Sequence, residues 1–437
     1  MKKILLFFIT IISLFCSCKK NNVEFIFDKQ PEERVAEKLD SLQTALLSSP
    51  YGWKAALNTK ASGGYGFYVD FRPDQTLSML SDFSTSSSTV LKESTYRVTW
   101  TMNAVLMFDT YNYITMLQDP TPSVNGGTPG NGLQSDIEFE LLKITADTLT
   151  LQGKRYGNVL RLVKLKQSEQ KDYLDGKYKN SIDAIAAYFK SHTNNYFKVD
   201  DIESKIEFTP TTGKSAIFQY INSEKGVSNV SGKFNYDLAG LNFNDPVAIG
   251  NKSFVKAILD GNDLYLVTTD GQRIKLLQDT QPILPLESVY GYNRTYKILG
   301  TPNDVNTLPE VLINTSFPDL IKNTVTKFGT VKFRHFEFKF ESSKQLSINI
   351  YYYSTANFTA TMYFDYTLVD GVLTLSNPTN NTTGNWNTRR SVLRELEDYL
   401  INNSPYKTDW VPNRVGTPIV GWYSIVNSNN VIYGNLK

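Results

Sequence analysis

Few side chains in this 437-residue chain are placed to do chemistry, and the best placed is a thiol. Cys18 follows Ser17, and upstream of them Met1, Lys2 and Lys3 lead an apolar run over residues 4–16. That run is too short to cross a hydrocarbon core of roughly 30 Å as a helix, which takes about 20 residues. A basic start, a short apolar segment and a small residue before cysteine together predict a bacterial lipoprotein leader, residues 1–17, cleaved so that Cys18 is acylated. Cys16 is the other thiol, but Phe15 ahead of it is bulky where the peptidase takes a small residue. A plain secretory leader cut elsewhere would leave Cys18 as a stray thiol, since no further cysteine follows it. No disulfide can then form within the mature chain, and packing alone must hold it together.

Only two histidines, His192 and His335, are present, which caps catalytic and metal chemistry. His335 lies in Arg334-His-Phe-Glu-Phe-Lys-Phe340, whose alternation predicts a strand with the phenylalanines on one face and His335, Glu337 and Lys339 on a solvated one. His192 follows a helix candidate, where a cation near the C-terminus is favoured. The chain has no Gly-x-Ser-x-Gly elbow, His-Glu-x-x-His pair, paired cysteines, phosphate loop or dinucleotide fingerprint. No metal or cofactor is therefore expected. Acids could pair as a glycosidase needs, Asp136 with Glu138 or Asp200 with Asp201, but in Asp136-Ile-Glu-Phe-Glu140 they alternate with apolar residues as on a wet sheet face. The better polar cluster is Asp109, Tyr111, Asn112 and Tyr113, because aromatic rings beside hydrogen-bonding side chains at a strand end suit a sugar or peptide. A turn of purely structural use accounts for the same residues.

The elements that must hold these groups are mostly strands. Residues 18–30 read as a polar tether, and residues 31–48 as a helix with Glu32 and Glu33 in its first turn and Val35, Leu39, Leu42 and Leu46 on one stripe. Period-two patterning then predicts strands at 66–71, 76–81, 94–101, 105–108, 137–144, 148–152 and 159–165. Turns at hairpin spacing make this an antiparallel meander closing into a small barrel or sandwich, with a calycin-type barrel as one possible shape. Residues 84–89, nearly all Ser and Thr, and 119–132, rich in Pro and Gly, read as mobile loops. A helix within 173–190 introduces further strands at 216–221, 232–238, 254–259, 263–268 and 273–277. A helix near 316–327, strands through 376 and a helix capped by Thr388 follow. The expectation is a mainly β chain of antiparallel barrel or sandwich domains with a few packed helices: residues 31–170 as one domain and 177–437 as the rest. Hairpins at 139–151, 254–266 and 364–375 repeat weakly.

Composition narrows the partners. Lys and Arg total 45 and Asp and Glu 43, and loss of Lys2 and Lys3 with the leader brings the two into balance. With no basic run, nucleic acid is not an expected partner. Aromatics make up 13% of residues and sit largely in the alternating segments, which suits sheet faces rather than disorder.

Several phrases, taken in order, carry a resemblance. They are Phe27-Asp28 with Glu33-Arg34, Tyr51-Gly-Trp53, Gly63-Gly-Tyr65, Phe108-Asp-Thr-Tyr-Asn112, Asp119-Pro120, Asp136-Ile-Glu-Phe139 and Leu149-Thr-Leu-Gln-Gly-Lys-Arg155. Over residues 27–165 the chain resembles a Bacteroidota lipoprotein family catalogued as domain of unknown function 4302. In such relatives a histidine commonly sits where Ile114, Thr115 and Met116 follow Tyr113, and this chain has none there, so no role for it carries over. The resemblance implies an envelope lipoprotein, often encoded beside an outer-membrane nutrient importer pair and a zinc-binding metallopeptidase, and it implies no known reaction.

Together these readings predict a non-catalytic envelope lipoprotein, an accessory or ligand-binding component of an outer-membrane glycan or peptide uptake system. The alternative is a hydrolase acting on glycan or peptide. Its partners would be the membrane through the lipid, the importer and surface lipoproteins of such a system, and the glycan or peptide. Surface-exported lipoproteins of that phylum carry acids just after the cysteine, whereas this tether begins Lys19-Lys20-Asn21-Asn22 and reaches its first acid at Glu24. Outer-membrane attachment is expected, with the cell surface preferred to the periplasmic face.

Overall fold

A computed structural model of the chain describes residues 30–302, 307–380, 384–413 and 418–437. The expected leader, Cys18 and all of the tether before residue 30 lie outside the described residues. The fold is mainly β: two closed antiparallel barrels of eight strands each and a nine-stranded antiparallel sheet between them in the chain. By compactness, residues 30–54, 69–79 and 92–165 form one unit and residues 55–68, 80–91 and 166–437 another.

Helix α1 (Pro31–Leu47) starts as its sequence requires, with Pro at the first turn and Glu32 and Glu33 beside the positive end of the dipole. Only the C-terminal half of its stripe is buried, through Leu42, Ala45 and Leu46. Trp53 Nε1 donates to the Leu46 carbonyl at 2.9 Å and ties the helix end to the first strand. That strand, β1 (Trp53–Asn58), is followed by β2 (Gly64–Phe71), β3 (Thr76–Ser81), β4 (Lys92–Trp100), β5 (Ala104–Phe108), β6 (Glu138–Ile144), β7 (Thr148–Gly153) and β8 (Val159–Lys164). Each pairs with its neighbour in sequence and the meander closes on itself, so the barrel has no free edge. Alternation is clean in β8, where Leu160 and Leu162 are buried and Val159 and Arg161 exposed.

The two segments expected to be mobile are instead hydrogen-bonded. Ser87 and Ser88 are buried, and Ser87 Oγ donates to the Ser81 carbonyl at 2.8 Å. In the second, Asn125 Nδ2 donates to the carbonyls of Met116 and Asp119 at 2.9 and 3.0 Å. Short polar side chains that bond the local backbone can order a loop that composition alone reads as loose.

Helices α2 (Pro122–Asn125), α3 (Gln167–Leu174) and α4 (Lys177–Ser191) come next, and Gly176 at φ +84° makes the turn between the last two. The sheet that follows runs β9 (Asn195–Val199), β10 (Ile202–Pro210), β11 (Ser215–Ile221), β12 (Val227–Tyr236), β13 (Gly240–Ile249), β14 (Lys252–Asp260), β15 (Asp263–Thr268), β16 (Arg273–Lys275) and β17 (Leu277–Gln278). Phe197, Phe208, Phe218, Phe243 and Phe254 pack on one face of it, with Ile185 and Tyr188 of α4. The strand pattern does not single out β13, because Asn242, Asn244, Asp245 and Pro246 are poor strand formers and its register shifts between Asn242 and Val247.

The last barrel comprises β18 (Ile298–Gly300), β19 (Lys332–Phe340), β20 (Gln345–Tyr353), β21 (Asn357–Val369), β22 (Val372–Asn380), β23 (Tyr406–Trp410), β24 (Ile419–Ser424) and β25 (Val431–Leu436), with helices α5 (Leu286–Val289), α6 (Phe317–Phe328) and α7 (Asn385–Asn402). Leu299 of β18 faces both Phe338 and Leu436, which closes it. Helix α7 begins at Asn385, so Thr388 is not its cap but lies in the first turn, its hydroxyl donating to the Gly384 carbonyl at 2.8 Å. Trp386 in that first turn is fully buried. The three weakly similar hairpins are β6–β7, β14–β15 and β21–β22, one in each sheet.

Candidate functional site

The cluster Asp109, Tyr111, Asn112 and Tyr113 is assembled at the end of β5, but most of its polar atoms are already engaged. Asp109 pairs with Arg97 Nε at 2.9 Å. Asn112 is fully buried; its Oδ1 accepts from the Ile114 and Thr115 backbone at 2.9 and 3.0 Å, and its Nδ2 donates to Ser94 Oγ at 3.0 Å. That is a side chain starting a short 3-10 helix, Thr115–Gln118. Tyr113 is 8% exposed, so Tyr111, at 51%, is the one ring of the cluster that presents much surface, beside the exposed Asp109. Its hydroxyl donates to Asp119 Oδ2 at 2.5 Å, and burial followed by that carboxylate pushes the phenol up to about 12. Lys92 Nζ stands 5.7 Å from the ring centres of both Tyr111 and Tyr113. One exposed ring beside a cation is a small surface for recognition.

The histidines are packed against other groups, although the buried His335 Nδ1 has no hydrogen-bond partner among the described residues. His192 stacks on Tyr188 at 4.2 Å at the end of α4, with Nδ1 3.0 Å from the Tyr188 carbonyl. His335 and Glu337 are less solvated than the alternation suggests, with side chains 15% and 14% exposed. Tyr351 opposite stacks on His335 at 4.3 Å and donates to Glu337 Oε2 at 3.1 Å, while Lys437 Nζ lies 3.0 Å from Glu337 Oε1. Burial, then Lys437, holds the imidazole below its usual range, against the opposing pull of Glu337. Among the described residues no group of three or more His, Cys, Asp or Glu is placed to hold a metal ion.

Asp136 is not on a wet face. It is 1% exposed and accepts from the backbone of Arg155, Tyr156 and Asn158 at 2.7, 2.9 and 3.2 Å and from Asn158 Nδ2 at 2.9 Å. It folds the β7–β8 turn rather than awaiting a substrate. Glu138, its sequence neighbour on the strand, does face outward, near Lys154.

A further buried polar cluster, around Asp82, is also self-satisfied. Asp82 Oδ1 accepts from the Gly66 backbone at 2.9 Å and pairs with Lys214 Nζ at 2.5 Å, and Oδ2 accepts from the Tyr236 backbone at 2.7 Å. Close backbone approach makes room for this. A Cβ on Gly63 would stand 2.3 Å from the Lys214 carbonyl oxygen, and one on Gly66 would stand 2.5 Å from that of Tyr236.

Open polar chemistry is found elsewhere, in a cleft of about 600 Å³ at one end of the last barrel. Its walls come from the β11–β12 turn, from residues 285–294 around α5, and from the β21–β22 hairpin. Lys225, Glu287, Arg294 and Asp370 line it, all exposed, and none has an ion-pair partner among the described residues. Their backbones are held by tight turns. Asn222 Oδ1 accepts from the Glu224 and Gly226 backbone at 3.1 and 2.9 Å, Gly291 N donates to the Tyr296 carbonyl at 2.9 Å, and Asp370 and Gly371 take φ of +49° and +73° in the hairpin. Tyr366, 7% exposed, is fixed through its hydroxyl to the Ser342 carbonyl at 2.9 Å. Tyr290 also lines the cleft, with its hydroxyl buried beside Trp422.

A family model described as a domain of unknown function (DUF4302) matches residues 24–260, more than half of the chain. The protein belongs to that family. No curated protein matches it. The family region extends beyond the phrases legible by eye, which end at residue 165, and runs through the first barrel and the following sheet as far as the end of β14. Its glycine motif Gly63-Gly-Tyr65 now has a physical reading in the close approach of β2 to the Lys214 backbone. Of the cleft residues, Lys225 lies inside the matched region, whereas Glu287, Arg294 and Asp370 lie beyond it. Sequence reasoning missed them because they stand on separate turns with no shared motif. The only local signal was the Asp370-Gly371 hairpin dipeptide, which marks a turn and not a ligand.

Proposed function

We propose that this member of the family is a lipid-anchored envelope protein of the outer membrane, of Bacteroidota type, that binds a glycan or peptide as a non-catalytic accessory of a nutrient-uptake system. The observation that carries the binding reading is the cleft, where two cations and two carboxylates have no ion-pair partner among the described residues and stand beside a half-buried tyrosine ring. The anchor is read from Cys18 and its leader, and the cell-surface face is preferred. Among the described residues no helix is long and apolar enough to cross a membrane; attachment in this reading is through the lipid. Cys18→Ala is expected to move the protein out of the membrane fraction; a variant that still pellets with membranes would contradict acylation there. Protease shaving of intact cells then separates the two faces, full protection meaning the periplasmic one.

A second reading, hydrolase, is favoured by one feature: Glu287 and Asp370 share the cleft, and a carboxylate pair is what glycoside hydrolysis needs. Incubating the wild-type protein with oligosaccharides and peptides, with both binding and product detection, decides between them. Turnover of any of these ligands would replace the non-catalytic reading.

A further inference from the structure

We infer that the ligand of the cleft is a short neutral oligosaccharide, with Glu287 and Asp370 accepting hydrogen bonds from its hydroxyls and Arg294 and Lys225 donating to them. This rests on the ligand-binding reading above and names the ligand class for that site. The charges carry the first part of the argument. Two cations and two carboxylates around one cavity sum to zero, so a polyanion would meet the carboxylates and a polycation the cations, each with a cost in desolvation. A polyhydroxylated neutral molecule meets neither penalty, because each hydroxyl both donates and accepts and so can satisfy either kind of side chain. Charged side chains make stronger hydrogen bonds to neutral partners than amides do, which suits a ligand that brings no charge of its own.

Backbone topology carries the second part. A peptide held along its length usually adds as a strand to a free sheet edge. None is offered here: the last barrel is closed, and β11 and β12 are each flanked on both sides by other strands. The aliphatic share of the lining is three residues, Ile221, Pro285 and Leu368. Tyr292, half-buried, supplies ring surface instead, and a sugar ring can lie on such a surface. The volume lies within the range of small-ligand sites, roughly 300–1,000 Å³.

Calorimetric titration of the full-length protein with short cello-, malto-, xylo- and manno-oligosaccharides, and in parallel with a library of short unmodified peptides, tests this. At least one neutral oligosaccharide is expected to bind, and the double variant Glu287→Gln, Arg294→Ala should bind it about tenfold or more weakly. Asp370→Asn, which keeps a residue tolerant of the turn conformation, should weaken the same ligand, with the thermal midpoint of both variants unchanged. Peptide binding that these variants weaken would overturn the ligand class while leaving the ligand-binding reading in place. Oligosaccharide binding undiminished in both variants would overturn the site. Binding of no oligosaccharide and no peptide would remove both readings together.

Discussion

Replacing Lys214 by Met is expected to destabilise the unit that holds it by about 3–5 kcal/mol, because Asp82 would be left as a buried charge without a counterion. Among the described residues the pair is as enclosed as any ion pair. Asp82 is 6% exposed and Lys214 8%, and the ammonium also donates to the Asp82 carbonyl at 2.7 Å and lies 4.2 Å from the Tyr65 ring centre. Burial pushes the Asp82 carboxyl up and the Lys214 ammonium down, each toward its neutral form, and their attraction opposes both shifts. The signs follow from linkage. A carboxyl raised on folding adds stability below its unfolded value, and that contribution fades as pH rises through the folded value. An ammonium lowered on folding adds stability above its unfolded value, and that contribution fades as pH falls through the folded one. In the neutral range between them the ionised pair is held against its own desolvation, with each charge dependent on the other. Removing both charges, as in Asp82→Asn with Lys214→Met, should therefore recover most of what either single change loses, and the remaining amide oxygen can still accept one backbone N–H. Urea unfolding of the four proteins in a double-mutant cycle gives the coupling. If the double variant is as unstable as the two single losses added together, the pair is not acting as a pair.

Asp136→Ala carries the second largest expected effect, a loss of about 3 kcal/mol or more, since three backbone N–H groups and the Asn158 amide would lose a charged acceptor at once. The damage should be local. Amide exchange at Arg155, Tyr156 and Asn158 is expected to lose its protection, and proteolysis is expected to begin within residues 153–158. Asp136→Asn should be milder, because it keeps one acceptor oxygen where the carboxylate has two. The turn leaves little room for other repairs: a Cβ on Gly153 would stand 2.1 Å from the Asp136 Cγ. Unchanged exchange at those three amides in Asp136→Ala would show that the turn holds itself without the carboxylate.

These two acids also show where reading by pattern stops. Alternation in Asp136-Ile-Glu-Phe-Glu140 correctly makes Phe139 a core residue and Glu138 an outward one, because side chains on a strand must alternate. It misplaces Asp136, which lies just ahead of β6, where the rule has no force and the side chain turns inward to the next loop. Asn112 is a related case. As a polar residue between tyrosines it read as a ligand group, and only the positions of Ser94, Ile114 and Thr115 reveal that every polar atom of its side chain is engaged.

The sequence by itself determined the β character, the hairpins at Asp260-Gly261 and Asp370-Gly371, the strands β7 and β8, the faces of β19, and the first helix with its acidic start. Period, turn chemistry and capping are properties of neighbouring residues, so they are legible along the chain. It did not disclose β23, β24 and β25. β24, with five of its six residues buried, shows no alternation to detect, and the short run β23 acquires its meaning by pairing with β22, some thirty residues earlier. Only the tertiary structure decided that two barrels close, that Lys214 meets Asp82 across 132 residues, and that Lys225, Glu287, Arg294 and Asp370 surround one cleft. Such meetings depend on how strands far apart in the chain are brought together, and no local pattern records them.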